Sequence, residues 1–384
     1  MKFPYFCTLS RMPAYTRGAV ALLLLGSLSC LLPAVVRAAE VSGLYEAGVM
    51  VTSRDDERQR QQAFGVAMRE VLIKLTGRRD TNDNPVVARA LSSPQSYVET
   101  WAYNSIIPED PFAQPGQPAQ IQLQVSFFQG GLQQLLNDAG IPVWPQNRPD
   151  TLLWVAVQDE LGERYRASPL QEQAGDLIAE IEQEALTRGV PLLLPLQDLA
   201  DLRALSVEQI WNSDIDALRI ASSRYQSESI LALRVFRSLS GDVIAKAVYI
   251  FRDQVKEFDA IESPLDTFVE GSIDLVAENL ASYYAILLSG ASDGNQEQVI
   301  LTVDGIGSAL DYADLLRYLN GLAAVSGVQV LSARGTTLEL QLDTGGQSRQ
   351  LIESIALDRR LRALGDVSRN GAQALMHYQW QPQR

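Results

Sequence analysis

"VLIKLTGRRD", Val71 to Asp80, admits two readings that lead to different folds. A glycine and two arginines placed after a strand and before a helix would open a phosphate-gripping loop in a parallel α/β sheet. The same letters at the end of a helix are a stop signal inside an α+β unit. The residues upstream decide between them. Phe64, Ala67, Val71 and Leu75 recur at helical spacing, so an amphipathic helix runs straight into Gly77. Gly77 then falls where a left-handed C-terminal cap belongs, and Arg78 and Arg79 complement the negative end of the helix dipole. A phosphate loop needs free amides at a helix N-terminus and usually a Lys-Ser or Lys-Thr pair, which is the reverse arrangement. The cap reading is the one adopted. Arg78 and Arg79 remain candidates for gripping a partner's carboxylate.

Around that helix a first unit extends over residues 40–145. "VSGLYEAGVMVTS" places Tyr45, Ala47, Val49 and Val51 on one side of a strand, and Ser53 with Asp56 forms a capping-box pattern. Asn84-Pro85 starts a short helix by cap and first-turn proline. A strand from Trp101 to Ile107 and the alternating "AQIQLQVSF" flank the proline-punctuated loop "PEDPFAQPGQPAQ", read as a stiff hairpin connection. That loop is either a docking element or plain surface. A helix from Leu132 to Ala139 ends at Gly140.

"IPVWPQNRPD", Ile141 to Asp150, carries three prolines and reads as an irregular, rigid joint. Trp144 there is either packed between domains or exposed as a binding aromatic. Asn147 and Arg148 stand beside it, lining a cleft or fixing the inter-domain angle. Beyond the joint, residues 150–290 alternate as β-α-β-α-β-β-α, which implies a mixed sheet covered by helices. Its pieces are "TLLWVAVQD", a helix capped by Gly189, "VPLLLPL", a helix over "VEQIWNSDIDALRIASSRY", two strands about Ser240-Gly241-Asp242, and a helix from Pro264 to Leu288. "SGASDGNQ", Ser289 to Gln296, reads as a flexible linker. Residues 297–384 then follow the ferredoxin-like order βαββαβ. The fold class is therefore mixed α/β or α+β, with small domains in series.

The first 38 residues read as an export signal. Lys2, Arg11 and Arg17 precede an apolar run from Ala19, no acidic residue occurs before Glu40, and Val36-Arg37-Ala38 is a small-residue cleavage site. An uncleaved anchor, a lipoprotein through Cys30 and a start at Met12 stay open. Cleavage after Ala38 removes four basic residues (Lys2, Arg11, Arg17, Arg37), moving the formal charge from -14 to -18. A mature chain of about 345 residues is enough for two or three domains, with no membrane span expected in it. So acidic a chain is repelled by nucleic acid and by anionic lipid.

Both cysteines, Cys7 and Cys30, lie in the presequence, and His377 is the one histidine. Disulfides, thiolate zinc sites, Cys–His pairs and multi-histidine metal centres are thereby excluded from the mature chain, and no cofactor is expected. Carboxylate chemistry stays open. Gly290-Ala291-Ser292-Asp293-Gly294 has the letters of a nucleophile elbow but follows a helix inside a polar linker. Gly305-Ile306-Gly307-Ser308 lies between a strand and a helix, yet Leu310 takes the third glycine's place, and Ser308 with Asp311 explains it as a cap. His377 falls on the strand face away from Ala374, Met376, Tyr378 and Trp380 and reads as solvated. The basic run "LDRRLRALGD" from Leu357 reads as charge complementing a helix end.

Taken together, "VSGLYEAGVMV", "VLIKLTGRRD", "IPVWPQNRPDTLLWVAV", "PLLLPLQDL" and "IASSRYQSESILALRVF" resemble the secreted Gram-negative bacterial family catalogued as domain of unknown function 2066, over most of residues 40–255. The resemblance implies an exported protein of a Gram-negative envelope and supplies no activity or catalytic residues. More loosely, the order of the second unit is similar to helix-and-sheet domains of periplasmic accessory proteins, such as the amino-terminal domain of the Tol–Pal propeller protein and the outer-membrane activators of cell-wall synthases. The expected function is a non-catalytic periplasmic adaptor that acts on an envelope protein partner. Two alternatives stand beside it: a small-ligand or glycan-binding protein using the cleft at Trp144, Asn147 and Arg148, and a carboxylate-dependent envelope hydrolase.

Overall fold

The first sheet forms because three short alternating segments share one apolar face with a long helix. β1 (Ala38–Glu40) and β2 (Glu46–Val51) lead into α1 (Glu57–Thr76), α2 (Pro85–Ala90), β3 (Val98–Ile106), β4 (Gln120–Phe127) and α3 (Gln129–Asp138). β4 lies at the centre, antiparallel to β2 and β3. Ala67, Met68, Val71, Leu72 and Leu75 of α1 are buried against Leu123, Val125 and Phe127 of β4. Asp56 caps α1, accepting from the amides of Arg58 and Gln59 at 2.9 and 3.1 Å. The expected Ser53–Asp56 box is thus shifted: Ser53 spends its hydroxyl on the Asp55 amide, and Gln59 Oε1 reaches back to the amides of Thr52 and Ser53.

This computed structural model describes residues 38–106, 120–169, 174–237, 243–287, 298–345, 347–358, 360–365, 367–370 and 373–382. The export signal up to Arg37, nearly all of the proline loop, the Ser240-Gly241-Asp242 turn, the linker after Ser289 and the Ser292 elbow lie outside the described residues.

The joint is more regular than its prolines suggest. Val143 and Ile286 exchange two backbone hydrogen bonds of 2.8 Å, and β5 (Asn147–Pro149) pairs antiparallel with β1. β5 tolerates Pro149 because proline closes the strand instead of interrupting it.

β6 (Thr151–Gln158) is buried on both faces and anchors the second sheet, with β7 (Arg164–Arg166), α4 (Gly175–Arg188), β8 (Leu192–Leu193), α5 (Leu199–Ala204), α6 (Val207–Trp211), α7 (Ile215–Ser222), β9 (Ser229–Arg237), β10 (Val243–Phe251), β11 (Gln254–Ser263) and α8 (Leu265–Tyr284) following. The order is β11-β10-β9-β6-β7, with β8 also on β6; β6 is parallel to β9 and β8, and the other pairs are antiparallel. Leu153, Val155 and Val157 of β6 join the core under α4 and α8, while Leu152, Trp154 and Ala156 join that under α6 and α7. The single helix expected over "VEQIWNSDIDALRIASSRY" breaks at Ser213, which takes φ +55, and Asp214 caps a new start.

β12 (Gln298–Asp304), α9 (Ala309–Gly321), β13 (Gly327–Arg334), β14 (Thr337–Asp343), α10 (Ser348–Ala356), β15 (Leu361–Ala363), β16 (Ser368–Asn370) and β17 (Gln373–Trp380) build the third sheet. Its order is β13-β14-β12-β17-β15, with β16 also on β17. The expected βαββαβ order is present, with β15 and β16 inserted before the last strand. β17 consequently returns parallel to β12, whereas a plain crossover from β14 would have set it antiparallel. Ser308 caps α9 as expected. The chain is mixed α+β, with ten helices and three multi-strand sheets among the described residues.

Gly77 sits at φ +70, and its amide bonds Ile73 O at 2.7 Å. A Cβ there would lie 2.3 Å from Ala281 Cβ and 3.1 Å from Ala277 O, both on α8. Gly77→Ala is expected to cost about 2–4 kcal/mol through left-handed strain plus overpacking, read as a lower urea midpoint at unchanged m-value.

Candidate functional site

A helix leaves its last carbonyls without internal partners, and those of α1 are met by the joint and by α4. Leu75 O accepts from the Trp144 amide at 2.7 Å, Lys74 O from Arg148 Nη2 at 2.9 Å, and Gly77 O from Arg188 Nη2 at 3.1 Å. Arg148 is fully buried, and the acceptors of its hydrogen bonds are backbone carbonyls. Its Nη1 donates to Gly189 O at 2.6 Å, Nε to Pro145 O at 2.9 Å, and Nη2 also to Trp144 O at 3.1 Å. The guanidinium lies 3.8 Å from the centre of the Trp144 ring. Burial pulls the pKa of Arg148 down to about 9, so it stays charged at neutral pH. Two helix C-termini, those of α1 and α4, therefore point their partial negative charge at one buried cation.

The remaining candidates lie around this bolt. Arg79 donates from Nε to Asp274 on α8 at 2.5 Å and from Nη2 to Glu184 on α4 at 3.2 Å, while Arg188 Nε forms an ion pair with Asp274 at 2.6 Å. Arg78 stays exposed and pairs with its neighbour Asp80. Asn147 donates to Ser354 O of α10 at 3.4 Å. Arg79, Trp144, Asn147 and Arg148 are thus brought together as contacts between the sheet units, and Arg78 is set apart.

The third sheet is tied on by two further contacts. Gln347 exchanges hydrogen bonds with the backbone of Leu287, at 2.9 and 2.7 Å. Arg252, at φ +51 in the β10–β11 turn, holds Glu228 and Glu353 at 2.7 Å each and donates to the Tyr283 hydroxyl, which in turn donates to Glu353 at 2.7 Å. Burial pushes the Glu353 carboxyl up, but the donors on Arg252 and Tyr283 outweigh it and leave the carboxyl below its ordinary value. On the open face of the third sheet, His377 Nε2 meets Asp304 Oδ2 at 2.8 Å with the imidazole half exposed, and Thr337 donates to the other Asp304 oxygen at 2.5 Å.

Between the three sheet units lies a cleft of about 1240 Å³. Trp144 and Asn147 belong to its wall, with Tyr45, Gln129 and Gln133 from the first unit and Asp314, Arg317, Tyr318, Asp358, Arg360 and Trp380 from the third. Asp314 pairs with Arg317 at 2.6 Å and Asp358 with Arg360 at 2.8 Å. Arg360 also stacks 4.2 Å over Tyr318. Burial raises the carboxyls of Glu70, Glu180 and Glu184, none of which lines the cleft. Among the described residues no group of three or more histidine, cysteine or acidic side chains is arranged to hold a metal ion, and no helix is long and apolar enough to cross a membrane.

Sequence reading missed the wall residues of the third unit, because Tyr318 and Trp380 follow the same periodicity as the core. The basic run begins at Leu357, the C-cap of α10. It lies between α10 and β15, where Arg360 serves Asp358 and Tyr318.

Arg148→Met is expected to lose about 3–5 kcal/mol in urea unfolding, since four buried carbonyls lose their donor, while Asn147→Ala loses about 1 kcal/mol. Equal stability of Arg148→Met and wild type would remove the bolt. Glu353 has its carboxyl lowered in the fold, so its contribution is present at neutral pH and fades as pH falls through the folded value. Glu353→Gln should therefore be less stable than wild type at pH 7, with the gap narrowing below about pH 4.

A family model described as "Domain of unknown function (DUF8605)" matches residues 38–145. This corrects the resemblance to family 2066: the matching model is a different one, and it ends at the joint where that resemblance was expected to continue to residue 255. The quoted segments are short, and each records a strand, a cap or a proline joint, patterns that local chemistry alone produces. No curated protein matches the sequence. Among solved structures, a competence or damage-inducible protein from Enterobacter asburiae is similar at 12% identity and a TM-score of 0.20, covering 40% of this chain and 93% of its own.

Proposed function

We propose that this chain is a non-catalytic adaptor of the cell envelope that holds a partner in the three-way cleft. The observation that carries this reading is the cleft itself, with walls drawn from all three sheet units and a volume of about 1240 Å³. Small-molecule sites usually occupy about 300–1,000 Å³. A space of this size suits a segment of a larger molecule.

Binding is supported over turnover by the state of the charged groups. A carboxylate-dependent hydrolase needs one acid held protonated in the cleft beside a second, ionised one. Here two of the three wall acids, Asp314 and Asp358, are each engaged by an arginine, the third is Asp150, and the carboxyls that burial raises lie elsewhere. An envelope setting is supported by the basic, apolar and small-residue order of the first 38 residues and by a mature chain without cysteine.

A photoreactive amino acid at Gln129, in the cleft, should capture one defined protein in source cells, and the same group at Leu161, exposed on the β6–β7 turn, should not. Filling the cleft with Ala323→Trp should abolish that capture. Equal labelling from both positions, or capture that survives Ala323→Trp, would remove the adaptor reading.

A further inference from the structure

Resting on that reading, we infer that the cleft's occupant is an extended peptide segment, apolar with a basic residue, and not a glycan. Sugar rings are usually gripped on open aromatic faces, and this cleft offers few. Trp144 and Trp380 are 0% and 4% exposed and Tyr318 is 5% exposed. Arg148 stacks on Trp144 and Arg360 on Tyr318, so two ring faces already carry a guanidinium.

What the wall does offer matches a main chain. Gln129, Gln133 and Asn147 line it, and each carboxamide carries both donor and acceptor atoms, as a peptide bond does; Gln133 spends a donor on the Tyr45 hydroxyl and Asn147 one on Ser354 O. β8 adds an edge: Leu192 and Leu193 line the cleft, and among the described residues the strand pairs with β6 alone. An extended segment can add to such an edge through main-chain hydrogen bonds, with alternate side chains entering pockets. Leu44, Leu322 and Leu357 supply apolar wall for those side chains. Charge sets the sign of the ligand. The wall carries Asp150, Asp314 and Asp358 against Arg317 and Arg360, in a chain of net charge -14.

The test is selection of a phage-displayed random heptapeptide library on the full chain, counter-selected on Ala323→Trp and on Gln129→Trp from the opposite wall. A consensus peptide is then titrated by fluorescence anisotropy, beside chitotetraose followed by calorimetry. The expected result is a consensus of apolar residues with Lys or Arg that binds at least about 10-fold more weakly to both variants, and equally weakly when N-methylated at alternate positions, because strand addition needs those amides. Chitotetraose should not bind. If chitotetraose binds and either variant blocks it while no peptide is enriched, the cleft reading stands and the peptide inference falls. If neither probe shows binding sensitive to the tryptophan variants, the inference and the cleft reading fall together.

Discussion

One buried guanidinium sets the geometry of the whole arrangement. Withdrawing a charge from water is tolerable only when every donor finds an acceptor, and Arg148 finds four carbonyls in place of a carboxylate. Those carbonyls belong to the end of α1, the cap of α4 and the joint, so none of the three can shift without exposing an unpaired charge. The glycine caps follow from the same constraint. A Cβ at Gly189, which sits at φ +65, would approach Arg148 Nη1 to 2.4 Å, so that cap is held to glycine by sterics as well as by its backbone. A short-range feature, two helices ending in left-handed glycines, is thus converted into a long-range one, the angle between two sheets.

Much of this was legible in residue order. The cap at Gly77, the caps at Asn84, Gly189 and Ser308, the buried strand at Thr151 and the helix ahead of Tyr284 rest on local chemistry that tertiary packing leaves unchanged. β7 and β11 went unseen for opposite reasons. β7 has three residues, too few for any periodicity, and β11 is mostly exposed, so its charged side chains hide the alternation. The direction of β17 depends on the short β15 and β16, whose "LRA" and "SRN" carry no strand signal of their own. The cleft was half legible: the joint residues stand out by their prolines, but Gln129, Tyr318 and Arg360 become neighbours only through packing that no spacing records.

Charged pairs dress the wall of the cleft. Groups poised for proton transfer are kept uncomfortable, by burial without a counter-charge or beside a like charge. Asp314 and Asp358 instead sit with arginines, and the Arg360 plane rests on Tyr318. The Asp358–Arg360 pair is the more buried of the two, and Asp314–Arg317 is a solvent-exposed pair one helical turn apart. They shape the cleft wall and give it a sign. The Glu353–Arg252–Tyr283 cluster performs the same service on the far side of α10, holding the third sheet where its residues can form a wall.

The place of β17 bears on how the chain is made. It is the latest of the described strands to leave the ribosome, yet it lies inside its sheet, between β12 and β15, and carries Trp380 into the cleft wall. During synthesis β12 must wait with one edge unpaired until some seventy residues more have been added, a long-range closure of the kind that slows folding and exposes strand edges. The first two sheets draw all of their strands from before that point. The third, and the cavity it completes, can only be finished after translation has passed Trp380.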